Sequence, residues 1–158
     1  MREVILRDFF LGRITPPELA ADVRGSVKKV GAISFVAEIE DMDDEFSVTR
    51  QMLVSLCEAV LSDQLPSQDL STIGFALLAS EKFVWDAEDL VGDVIHDWSC
   101  PEINYPLTLE NVQRFKDWLL EKELYPSKVQ PQTRTSFNPK RERLISRVQK
   151  KPLRKRVH

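Results

Sequence analysis

Leu53, Leu56, Cys57, Val60 and Leu61 recur at i, i+3, i+4, i+7 and i+8. That spacing lines one side of an α-helix with apolar groups, and water drives such a stripe against other elements. The pattern returns along the chain. Val4, Ile5, Leu6, Phe9 and Phe10 form a stripe that Gly12 stops, and Leu19, Ala20, Val23 and Val27 form another behind Thr15, with Pro16 and Pro17 in the first turn. Leu90, Val91, Val94, Ile95 and Trp98 give a further stripe, closed at Cys100-Pro101; Leu109, Val112, Phe115, Leu119 and Leu120 follow Thr108 as cap. Leu70, Ile73, Phe75, Ala76, Leu77 and Leu78 are apolar almost all round, which predicts a central helix enclosed by the others. The expected fold class is mainly α: a helical bundle with a short strand or hairpin near residues 27–40 and an extended basic C-terminal tail.

The strand expectation rests on a change of period. Ile33, Phe35, Ala37 and Ile39 alternate with Ser34, Val36, Glu38 and Glu40, the repeat of two that suits a half-buried strand. A lone strand leaves its backbone groups unpaired. Residues 27–30 turning back at Gly31, or a second copy of the chain, would complete it.

Charge divides the chain more sharply than its net of −3 suggests. Residues 1–124 hold 11 Lys and Arg against 24 Asp and Glu, a net of −13, whereas residues 125–158 hold 11 against one, a net of +10. An acidic helical domain over 1–124 is thus expected to carry a basic, Pro-containing tail over 125–158, with Asn138-Pro139 as the cap of a short helix. Opposed fields of this kind serve encounter with charged partners rather than folding. The tail is open to three readings: it folds back on the body, it binds nucleic acid through phosphate contacts, or it has no selected role.

The signatures of catalysis are missing. The sequence has no Gly-rich phosphate loop, no nucleophile elbow and no paired histidines at helical spacing, so no cofactor, metal or enzymatic role is expected. His96 is read as a surface histidine. Cys57 and Cys100 lack metal-site spacing and are expected to be reduced thiols. Apolar runs fall far short of the roughly 18–20 residues that cross a bilayer, and charges interrupt the first residues where a leader would be apolar. A cytoplasmic protein without membrane contact is the expectation.

The carboxylates are the remaining candidates. Asp41, Asp43, Asp44 and Glu45 form a dense run whose ordinary reading is a solvated turn before a helix; the spaced ligands and glycine of a calcium loop are missing. A second group, Glu81, Asp86, Glu88, Asp89 and Asp93, surrounds Trp85. Carboxylates beside an exposed aromatic imitate a nucleic-acid backbone to a basic partner, and Trp85 is the candidate anchor, whereas Trp98 and Trp118 belong with the core stripes.

Three stretches together carry a resemblance: residues 8–19 with their Ile14-Thr15 turn and acidic helix start at Glu18, residues 75–86 with Glu81, Lys82, Phe83 and Asp86 after a small-residue helix, and the closing helix over 109–122. They resemble the small helical immunity proteins typified by the one that protects against colicin D, a toxin that cuts transfer RNA. The resemblance implies an antiparallel helical bundle that presents carboxylates where RNA phosphates would lie, to a basic nuclease toxin domain as partner. Within it only Glu81 and Asp86 match functional positions of the family; Glu88, Asp89 and Asp93 join them by proximity. Residues 25–46 and the tail depart from the short family members. The alternative is a helical adaptor or regulatory subunit whose basic tail engages nucleic acid or an acidic protein.

Overall fold

The computed structural model describes residues 1–30, 34–86 and 89–126. Met1–Tyr125 form one compact unit. The expected tail and its helix lie outside the described residues, apart from Tyr125, which packs on the body, and Pro126.

Six helices account for most of the described chain: α1 (Glu3–Phe10), α2 (Pro16–Ser26), α3 (Arg50–Leu61), α4 (Asp69–Ala79), α5 (Leu90–Ser99) and α6 (Leu109–Leu119). Their ends follow local chemistry. Gly12, at φ +69°, takes the left-handed conformation that stops α1. At the start of α2 the Glu18 carboxylate accepts from the Thr15 backbone N–H at 2.7 Å and from its hydroxyl at 2.8 Å. The Thr108 hydroxyl accepts from the Asn111 N–H at 3.2 Å and opens α6.

The expected hairpin is present. Strands β1 (Val27–Val30) and β2 (Ser34–Ala37) pair antiparallel, Val27 opposite Ala37 and Lys28 opposite Val36. Sequence reading missed a second, two-residue pairing, in which β3 (Phe46–Ser47) runs parallel to β4 (Phe83–Val84).

The core forms where the stripes meet. Leu53, Leu56, Cys57 and Val60 of α3 and Val112, Phe115, Trp118 and Leu119 of α6 are buried, as are Val91, Val94, Ile95 and Trp98 of α5. Helices α4 and α5 pack backbone-close at Gly74, where an added Cβ would lie 2.8 Å from Trp98 Cβ and 2.9 Å from the Ser99 backbone nitrogen. Burial drives the Cys57 thiol up to about 12, so it stays protonated, as a small apolar group would.

Four expectations are corrected. Helix α4 is not enclosed: Leu70, Ile73, Ala76 and Leu77 are buried, but Phe75 and Leu78 lie 48% and 43% exposed on its outer face. Val27 begins β1 and is exposed instead of completing the stripe of α2. In α6, Leu109 and Leu120 are exposed at the two ends instead of facing inward, while Trp118 is buried beside Leu119 as expected. Trp85 is half-buried against the core rather than displayed. Among the described residues no helix is long and apolar enough to cross a membrane.

Candidate partner-binding surface

Two acidic groups separated by almost forty residues converge at the β3–β4 pairing. The Phe46 N–H donates to the Lys82 carbonyl and the Val48 N–H to the Val84 carbonyl, both at 2.8 Å. The run Asp43, Asp44 and Glu45 therefore enters β3 beside Glu81 and Lys82, and all four carboxylates are exposed. Lys82, the cation within this group, extends its ammonium to the Asp43 backbone carbonyl at 2.9 Å. It spans the two segments, and among the described residues it forms no ion pair with a carboxylate.

Aromatic packing holds this edge. Phe46 stacks on Phe10 of α1 at 6.3 Å between centroids and meets Phe83 edge-on at 6.1 Å; Phe10 and Phe83 close the triangle at 6.4 Å. Before β4, the Ser80 hydroxyl oxygen accepts from the Lys82 N–H at 2.9 Å and the Phe83 N–H at 3.1 Å, which fixes the turn carrying Glu81. The exposed charges thus stand on a rigid base.

The remaining candidates lie further along. Trp85 lies over Gly92 of α5, where a Cβ would come within 3.0 Å of the indole nitrogen, so the absence of a side chain there seats the ring. Asp86 is exposed, and its carbonyl accepts from the Asp89 N–H at 3.1 Å, making a turn into α5. Glu88 lies outside the described residues. Asp89 has a structural duty: its carboxylate caps α5 by accepting from the Leu90 N–H at 2.7 Å and also accepts from the Arg50 guanidinium. Arg50 donates as well to Glu121, beyond α6, and these two carboxylates hold it charged above the usual arginine range. Asp93 is exposed one turn along α5. The structure therefore groups Glu81 with the 43–45 run and leaves Asp89 engaged with the chain's own cation.

Two features of α5 were not read from the sequence. Asp97 is fully buried, and the Tyr125 hydroxyl donates to its carboxylate across 28 positions of chain. His96, beside it, is exposed as expected. Among the described residues no cluster of three or more His, Cys, Asp or Glu is arranged to hold a metal ion. No family model, curated protein or solved structure matches the chain.

Proposed function

We propose that the protein binds and neutralises a nuclease toxin, presenting the acidic edge around β3 and β4 to the toxin's basic substrate groove. One observation carries the reading: distant segments are folded together so that Asp43, Asp44, Glu45 and Glu81 share one exposed edge, with the local Lys82 turned onto a backbone carbonyl. A ribonuclease needs a basic groove to hold phosphates, and a complementary field speeds encounter and sets register. The resemblance to colicin D-type immunity proteins points the same way and contributes Asp86, with Glu88, Asp89, Asp93 and half-buried Trp85 as flanking contacts. An antiparallel bundle, a cytoplasmic location and action without catalysis belong to this reading.

The test is capture from native lysate by the full chain, in parallel with a Glu81→Lys/Asp86→Lys variant. A basic protein with ribonuclease activity should be retained by the parent, be inhibited on adding it back, and be lost by the variant. Equal retention by both, or a captured protein without nuclease activity, would overturn the reading.

A second reading is favoured by the net +10 of residues 125–158. In it the body is an adaptor and the tail engages nucleic acid through phosphates. Deleting those residues would abolish binding under this reading and spare it under the first.

A further inference from the structure

The β1–β2 hairpin is filled along one edge of β2 and open along the other. The Glu38 N–H donates to the Ser26 carbonyl at 3.0 Å, the Glu40 N–H donates to the Met1 carbonyl at 2.9 Å, and the Glu40 carbonyl accepts from the Glu3 N–H at 2.9 Å. Glu38 and Glu40 therefore turn their backbone groups to the side of β1. Successive residues of a strand aim these groups to opposite sides, so Ala37 and Ile39 direct theirs away from β1. Among the described residues nothing pairs with those four groups, two N–H donors and two carbonyls. An edge of this kind is a template for one more strand.

The two faces beside the edge differ. Val36, Glu38 and Glu40 are exposed on the outer face, whereas Ala37 and Ile39 are half-buried on the inner one. A groove of about 320 Å³ separates Val27 and Ala37 of the sheet from Thr72 and the exposed Phe75 of α4, with Ser99 of α5 at its side. The small side chain of Ala37 leaves this space unfilled. A residue paired opposite Ala37 would carry its Cβ on the same face at about 5 Å, and an apolar side chain there reaches the groove.

Charge selects the occupant. Glu38 and Glu40 recur at the strand period on the outer face, and Lys28 meets Glu38 from the closed side at 2.6 Å. Residues 34–40 contain no Lys or Arg, so a second copy paired along this edge would bring these carboxylates no counter-charge. A strand with Lys or Arg at alternate positions would set a cation opposite each of them, a favourable cross-strand pairing.

We propose that the open edge of β2 takes up an extended basic strand from a protein partner. The backbone groups of Ala37 and Ile39 continue the ladder, the partner's apolar side chains turn into the groove beside α4, and its cations turn outward beside Glu38 and Glu40. The site uses none of the residues of the β3–β4 edge and does not rest on the nuclease reading.

The test is a titration of the full chain with the end-blocked peptide Lys-Leu-Lys-Leu-Lys, in parallel with the same peptide N-methylated at both leucines, followed by the amide NMR signals of Ala37 and Ile39. The plain peptide should bind and slow amide exchange at both residues, and the methylated one should bind roughly tenfold more weakly or worse, since two backbone donors are lost. Ala37→Pro puts the ring where the outward N–H was and leaves the β1–β2 ladder intact, so it should weaken the plain peptide roughly fivefold or more. Glu38→Gln with Glu40→Gln should weaken it roughly two- to fivefold at low salt. Equal affinity for the two peptides, signal changes confined to other residues, or unchanged binding by a folded Ala37→Pro protein would overturn the proposal. So would a dimer of the chain alone that Ala37→Pro dissolves, because a second copy would then hold the edge. Should Ala37→Pro fail to fold, the comparison of the two peptides on the parent decides. No nuclease enters the titration, so its failure is distinct from failure of the capture experiment.

Discussion

Carboxylates between Glu81 and Asp97 meet two different fates. Asp89 and Asp97, at the two ends of α5, are drawn into the frame: one caps the helix and joins Arg50, the other lies beneath Tyr125. Glu81, Asp86 and Asp93 stay at the surface, and the first is joined there by Asp43, Asp44 and Glu45. The same residue types in one stretch of sequence thus serve stability in some places and the outer field in others. The difference is set by which donors tertiary structure brings within reach.

Breaking the buried end should have the largest effect. Asp97→Ala removes a buried carboxylate and leaves the part-buried Tyr125 hydroxyl without this acceptor, so denaturant unfolding should show a loss of about 2–3 kcal/mol. An unchanged midpoint would move Asp97 out of the frame. Arg50→Ala is the next test: its guanidinium is about one-third exposed and joins Asp89 to Glu121, so a loss near 1 kcal/mol is expected, shrinking as salt is added. A loss insensitive to salt would mean that packing rather than charge is at work.

The α2 cap sharpens the comparison through pH. The Glu18 carboxyl is held below its usual value, first by the Thr15 backbone N–H and then by the Thr15 hydroxyl. A depressed folded-state value stabilises above the unfolded-chain value of about 4.3, and the contribution disappears as pH falls through the lower folded value. Glu18→Gln should therefore flatten the acid limb of stability against pH and leave its shape above neutrality unaltered. Thermal melts across that range check it.

How far the sequence discloses this division depends on the distance over which contacts act. Helices α3 and α5 were legible because their stripes are local. Helix α4 was overread: an apolar circumference does not say how many neighbours a helix has, and this one leaves Phe75 and Leu78 outside. Leu109 continues the stripe of α6 in register but projects from its first turn, while Trp118 packs inward with Phe115 and Tyr105. The hairpin could be anticipated from alternation and Gly31, whereas two residues of β3 are too few to show a period. Exposure of Glu81 and Asp86 was expected; the arrival of the 43–45 run beside Glu81 was not, since a parallel pairing of residues 46–47 with 83–84 has no local trace. Arg50 escaped notice for the same reason: its partners lie 39 and 71 positions away.

The central claim is that the β3–β4 edge displays charge for recognition and that the fold does not need it. Neutralising that edge with Asp43→Asn, Asp44→Asn, Glu45→Gln and Glu81→Gln in one full-length protein, and measuring stability and nuclease capture side by side, tests it most directly. The account predicts that stability stays within about 0.5 kcal/mol of the parent while capture is lost. A protein that is strongly destabilised, or that still retains the nuclease as the parent does, would contradict it.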